Sequence, residues 1–231
     1  MSAQIVFDQV TKAYDDKEII RNLSFSIEKG EIFVLVGPSG SGKTSTLKMI
    51  NGLSQPTSGT IYYKDQPLSA YDIRKVRWQI GYVLQQIALF PTMTVAQNIM
   101  VIPEMVGWTK EKQQQETDRL LTSVGLDPEL YRRRMPSELS GGEQQRIGIL
   151  RALAANPEVI LMDEPFSALD PISRNELQEL VLALHAKLGT TVVFVTHNME
   201  EAIKLGDRIA VMKEGELLQV DTPEQLLTAP S

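Results

Sequence analysis

Cysteine is absent from the 231 residues, which excludes disulfides, thiolate metal sites and cysteine nucleophiles. Histidine is nearly as scarce, with two residues, so a His-rich metal site is not expected. No run approaches the roughly 18 apolar residues that cross a bilayer, and the opening MSAQIVFDQV lacks the basic-then-apolar pattern of a signal peptide. These absences predict a chain that stays in the cytosol where it is made. Basic charge is not in excess either. A net charge of −6 argues against a surface built to neutralise nucleic-acid phosphates. Internal repeats and low-complexity linkers are also missing.

The remaining composition, 42% hydrophobic and 23% charged, is that of an ordinary globular protein. The length allows one sizeable core, or a core with a smaller lobe inserted. Short strand-like runs fill the first forty residues: IVFDQV, LSFSIEKG and EIFVLVG. The run from Glu31 to Val36 reads as a buried strand stopped by Gly37. A helix is then expected at 44–53, with strands at 59–63 and 79–85. From about Ile87 to Ala155 the pattern turns helix-rich. Strand–helix alternation resumes with EVILMD (158–163), TTVVFVT (190–196) and RIAVM (208–212). Leu177, Leu180, Val181, Leu184 and Leu188 make one stripe on the helix that follows Pro171. Alternating βα units imply a parallel sheet covered by helices. The stretch at about 87–155 reads as an inserted helical lobe, leaving a core of about 1–86 and 156–231.

Three motifs carry chemistry. GPSGSGKT at 37–44 fits G-x-x-x-x-G-K-[ST] between an expected strand and an expected helix. Its glycines let backbone N–H groups curl round phosphates, where the helix N-terminus adds a positive dipole end. Gly37, Pro38, Ser39, Gly40, Ser41, Gly42, Lys43, Thr44 and Ser45 form this cradle. Lys43 would reach the β and γ phosphates, and Thr44 would offer a hydroxyl to Mg²⁺. VILMDEP (159–165) delivers two acids at a strand's C-terminal end, where open α/β sheets bind ligands. Asp163 is placed to hold Mg²⁺, and Glu164, one residue further out, to polarise an attacking water. A Glu there argues for hydrolysis over passive nucleotide binding. In LSGGEQQ (139–145), Ser140 and Glu143 have the spacing of a capping box at the start of a helix through Ile147, Leu150 and Leu153. Capping does not explain Gly141 and Gly142. Two glycines in a first turn cost about 1 kcal/mol each relative to alanine, and they leave N–H groups uncovered as a second anion-binding helix end.

With that motif the sequence resembles the ATP-binding-cassette family along essentially its whole length. The resemblance implies an α/β P-loop NTPase core with a mostly parallel sheet, an N-terminal antiparallel β subdomain and an inserted helical subdomain. It also implies an Mg-dependent ATPase working as a head-to-tail homodimer. Each ATP then lies between the cradle of one chain and Ser140–Gly142 of the other. Further positions match the family one by one. Tyr14 resembles the aromatic that stacks on adenine. Gln85 resembles the residue that touches Mg²⁺ and water, and His197 the one that contacts the γ phosphate. Asp170, in SALD (167–170), resembles the residue that communicates across the dimer. Glu143 departs from the pattern, standing where Gln is usual; its extra charge is expected to weaken ATP-driven closure.

With no membrane span of its own, such a subunit works at the cytoplasmic face of the membrane through separate permease subunits. The apolar run Ile87–Phe90 before Pro91 suits a docking surface for a permease helix, or else fills the lobe's own core. Longer stretches, among them QQIALFPTMT and GILRALAANPEVILMDEPFSALDPISR, are similar to the ATPases of importers for quaternary ammonium osmoprotectants such as glycine betaine, carnitine and choline. An extracellular solute-binding protein would then select the solute. Many members of that group carry a C-terminal regulatory domain pair, for which this sequence leaves no room after LLTAP. Competing readings are an importer ATPase for another small solute, a soluble ATPase of the same superfamily in DNA repair or translation, and a P-loop metabolite kinase. The kinase leaves LSGG, Gln85 and His197 without a role.

Overall fold

The computed structural model describes residues 3–15 and 17–228. In chain order the strands are β1 (Ala3–Tyr14), β2 (Lys17–Glu28), β3 (Ile32–Val36), β4 (Ser58–Tyr63), β5 (Gln66–Pro67), β6 (Ile80–Val83), β7 (Val159–Asp163), β8 (Thr191–Thr196), β9 (Arg208–Lys213) and β10 (Glu216–Asp221). The helices are α1 (Lys43–Ile50), α2 (Ile73–Gln79), α3 (Val95–Ile99), α4 (Val101–Met105), α5 (Lys110–Ser123), α6 (Pro128–Tyr131), α7 (Gly141–Leu153), α8 (Pro171–Leu188), α9 (Met199–Leu205) and α10 (Pro223–Thr228). A four-stranded sheet runs in the order β2-β1-β4-β5, and a six-stranded sheet in the order β10-β9-β3-β8-β7-β6. No helix among the described residues is long and apolar enough to cross a membrane.

The chain divides into two compact units. One comprises residues 1–77, 161–164 and 188–231, and the other residues 78–160 and 165–187. In the first unit β3 pairs in parallel with both β8 and β9, so it is covered on both edges. All five of its residues and all six of β8 are buried, the unbroken apolar run that a parallel strand requires. The antiparallel sheet of β1, β2 and β4 mixes buried and exposed residues as a half-exposed surface does, with register shifts interrupting the alternation between β1 and β2. Phe25 stacks between Phe7 and Phe33, with ring centroids 4.6 and 5.2 Å apart. A Glu214–Gly215 turn with both φ angles positive closes β9 onto β10, the backbone a two-residue hairpin demands.

In the second unit α7 packs on α3 and β6, with Ile147, Leu150 and Leu153 buried. Gly81 is required there: a Cβ would stand 2.3 Å from the Ala152 carbonyl. Helix α8 carries the anticipated stripe in part, with Leu180 only half-buried. Leu177, Val181 and Leu184 are buried, while Leu188, the last helical residue, is exposed. Asn98 is fully buried and holds the 90–94 segment. Its Oδ1 accepts the Phe90 N–H at 2.8 Å, and its Nδ2 lies 3.0–3.1 Å from the carbonyls of Phe90, Met93 and Thr94.

Candidate nucleotide site

The first unit gathers the P-loop, both acids and the histidine. β3 ends at Val36 and α1 starts at Lys43, so residues 37–42 form the loop between a buried strand and a helix N-terminus. Gly42, at φ +98°, is the N-cap; no side chain closes this end and no acid occupies the first turn. The N–H groups at Lys43, Thr44 and Ser45 are therefore available to an anion. Gly37 is fixed by packing, because a Cβ there would lie 2.1 Å from the Met212 carbonyl. Lys43 folds back over the loop, its Nζ donating to the carbonyls of Gly37 and Pro38 at 2.8 and 2.9 Å. The buried Ser41 Oγ has no hydrogen-bond partner among the described residues.

β7 ends on Asp163 beside α1, and the Thr44 hydroxyl donates to Asp163 Oδ1 at 2.9 Å. Glu164 follows with φ +44°, a left-handed backbone that costs a non-glycine residue about 1 kcal/mol or more. Its N–H donates to the Val195 carbonyl at 3.0 Å, which ties the strained residue to β8. His197, one residue past β8, brings Nδ1 to 3.1 Å from Glu164 Oε2 and is otherwise largely exposed.

Burial lowers the Lys43 pKa against the opposing pull of Glu164 and Asp163. Burial likewise raises the Asp163 pKa; the Thr44 hydrogen bond opposes this and the Glu164 charge adds to it. Both shifts favour the uncharged forms. A buried cation and a buried anion are thus each undercompensated, charges that a phosphate and a metal ion would complement. The donor set fits Mg²⁺, a hard ion held by one or two protein oxygens together with phosphates and water. No group of three or more His, Asp or Glu exists among the described residues to hold a metal by protein alone.

The other positions singled out in the sequence fall as follows. Tyr14 is exposed at the end of β1. Lys12 Nζ lies 4.6 Å from its ring centroid, and its hydroxyl is 3.3 Å from Ser54 Oγ. Gln85, exposed just beyond β6, belongs to the second unit, as do Ser140–Glu143 and Asp170. The capping box anticipated at Ser140 is present in full: Ser140 Oγ accepts the Glu143 N–H at 3.3 Å, and Glu143 Oε2 accepts the Ser140 N–H at 2.8 Å. Asp170 caps α8, its Oδ1 accepting from the N–H groups of Ile172 and Ser173, both at 3.1 Å. Two features carried no sequence signal. Tyr131 donates its hydroxyl to Glu143 Oε1, and Glu164 holds a left-handed backbone.

The family model described as ABC transporter matches residues 20–167. The chain is 52% identical over 226 residues to the carnitine transport ATP-binding protein OpuCA of Listeria monocytogenes, covering 97% of this chain and 57% of that protein. It is 51% identical over 225 residues to the glycine betaine/carnitine/choline transport ATP-binding protein OpuCA of Bacillus subtilis, covering 97% and 59%. The chain thus spans somewhat more than half the length of these relatives. Among solved structures it resembles the dimeric ATP-binding cassette MJ0796 bound to ADP and Pi, with a TM-score of 0.84 at 33% identity over 95% of this chain and 98% of that one. An antiparallel sheet beside a parallel-rich sheet, a P-loop at the end of a central strand and a likeness across almost the whole chain lead to one placement: the chain belongs to the ABC transporter family.

Proposed function

We propose that this chain is the ATP-hydrolysing subunit of an importer for quaternary ammonium osmoprotectants. The observation that carries the catalytic part is the gathering of two hydrogen-bonded pairs, Thr44 with Asp163 and Glu164 with His197, in the unit that carries the P-loop. The polyphosphate would lie in the loop of residues 37–42, replacing the Gly37 and Pro38 carbonyls as the partner of Lys43. Thr44 and Asp163 would hold Mg²⁺, which when bound spreads the charge of the β and γ phosphates. Glu164 would take the proton of the attacking water. The His197 Nδ1 beside its carboxylate fixes that group's orientation and leaves the Nε2 edge to the γ phosphate. Tyr14, whose ring is backed on one side by Lys12, would stack on adenine.

Closure would need a second copy, with Ser140–Gly142 of each chain receiving the phosphates held by the other. A Cβ built at Gly141 meets nothing within 4 Å, so the first turn of α7 is open to such an approach. Residues 87–90 bear on the permease contact. None of them is buried and the Phe90 side chain is exposed, which favours a docking surface over core filling. The membrane partners, the extracellular solute-binding protein, the cytoplasmic face and the solute class rest on the kinship with the carnitine and glycine betaine proteins. Nucleic acid is not a partner in this reading.

Glu164→Gln tests the assignment. Mg-ATP binding should persist while phosphate release falls by about 100-fold or more, the usual contribution of a general base. Turnover at the wild-type rate would refute the role of Glu164. Capture of membrane and solute-binding subunits with the chain, set against uptake of radiolabelled glycine betaine or carnitine by the reconstituted assembly, tests the transport part.

A further inference from the structure

The first turn of α7 contains an apparent contradiction. Its two leading glycines suit an incoming phosphate, yet Glu143, in the same turn, carries a full negative charge. Both oxygens of that carboxylate are occupied. Glu143 Oε2 is taken by the Ser140 N–H at 2.8 Å, and Oε1 accepts the Tyr131 hydroxyl. Tyr131 is itself held from behind: the Arg134 guanidinium carbon lies 4.2 Å from its ring centroid, and the Arg134 N–H donates to the Tyr131 carbonyl at 3.0 Å. Tyr131 closes α6, whose N-cap Asp127 and first-turn Pro128 fix where that helix begins.

We propose that Tyr131, backed by Arg134, is a positioning residue for nucleotide-driven pairing of two copies, its hydroxyl fixing the Glu143 carboxylate and offsetting its charge in the turn where Gly141 and Gly142 receive the phosphate. The inference rests on the reading of Ser140–Gly142 given above. The Tyr131 hydrogen bond, foremost among its contacts, holds the Glu143 pKa below the ordinary range, so the carboxylate stays charged and needs this restraint. The same hydrogen bond raises the phenol's pKa, which keeps Tyr131 a donor. A glutamine at 143 would carry no charge to offset. The value of Tyr131 therefore depends on what stands at 143, and that dependence distinguishes positioning from plain packing.

The test is a double-mutant cycle of Tyr131→Phe and Glu143→Gln, read as the Mg-ATP concentration that half-dimerises the protein, with KM and kcat for ATP alongside. At low salt Tyr131→Phe should raise the half-point on the order of tenfold, the size of one charge-assisted hydrogen bond, with KM moving more than kcat. Raising ionic strength should shrink the effect, because screening weakens repulsion between the released carboxylate and the phosphates. In the Glu143→Gln background Tyr131→Phe should change nothing. Equal effects in both backgrounds, or no effect in either, would overturn the proposal while leaving the nucleotide site as described. Failure of the wild-type chain to pair with Mg-ATP would remove the underlying reading itself. Should Tyr131→Phe not fold, Arg134→Gln carries the same cycle.

Discussion

At the scale of single residues, the phosphate loop depends on close backbone approach more than on flexibility. Gly37 and Gly40 separate the two requirements. Gly40, at φ +81°, has nothing within 4 Å of where a Cβ would stand, so alanine there meets only an unfavourable backbone conformation, about 1 kcal/mol. Gly37 has no positive φ, but its Cβ would stand 2.1 Å from the Met212 carbonyl and 3.0 Å from Ser41 Oγ. Neither the end of β9 nor the loop can yield without moving main chain. Gly37→Ala should therefore lower stability by about 2 kcal/mol or more and weaken Mg-ATP binding at least about tenfold. Gly40→Ala should show only the smaller loss. Denaturant melts with and without nucleotide would measure both, and equal melting of the two variants would defeat the argument. Glu164 belongs to the same scale. A left-handed backbone on a glutamate persists only where the surroundings enforce it, here the Val195 carbonyl and His197.

At the scale of elements, the sequence reveals what local pattern encodes and conceals what tertiary contact encodes. β3, β7 and β8 are legible because a strand buried on both faces must be an unbroken apolar run. β1 and β2 are each 12 residues long, yet they read as shorter runs. Register shifts break their alternation at Phe7/Val10 and Val10/Lys12, and Gln9 and Asn22 have positive φ. The Glu214–Gly215 turn was the available signal for β10, a strand with no buried residue to mark it. Motif spacing located both acids and the P-loop, but no spacing could bring Tyr131 to Glu143, because that contact depends on how α6 meets α7. Asn98 is a second such case. It reads as an unremarkable polar residue in TVAQNI, yet it is fully buried and secures the segment that presents Phe90. Asn98→Ala would leave the Phe90 N–H and several carbonyls without their partner, which should cost about 3 kcal/mol. Amide exchange within 90–94 should accelerate while the P-loop stays protected. Stability within about 0.5 kcal/mol of wild type would show that water replaces the amide without penalty.

For the molecule as a whole, the sheet that delivers the phosphate loop is anchored at its opposite end by a charge placed at some cost. Glu31, buried where β3 begins, accepts the Glu28 N–H at 2.6 Å and lies 3.3 Å from the Arg208 guanidinium, which also donates to the Ser26 carbonyl at 3.2 Å. Burial is the largest influence and raises the Glu31 pKa; the Glu28 N–H and Arg208 pull it down without prevailing, and the Glu28 charge adds to the rise. The folded protein therefore binds this proton more tightly than the unfolded chain does. The stability tied to Glu31 is fully present below the ordinary glutamate pKa and is lost as pH climbs through the raised one. Glutamine at this position keeps an oxygen acceptor for the Glu28 N–H and never ionises. Glu31→Gln should accordingly be at least as stable as wild type at pH 7, with the two melting curves converging as the pH drops below the glutamate range. If the Arg208 attraction outweighed burial, the variant would instead be the weaker protein at pH 7 and would regain parity on acidification. Urea melts of both proteins across that range separate the outcomes by the sign of the difference alone.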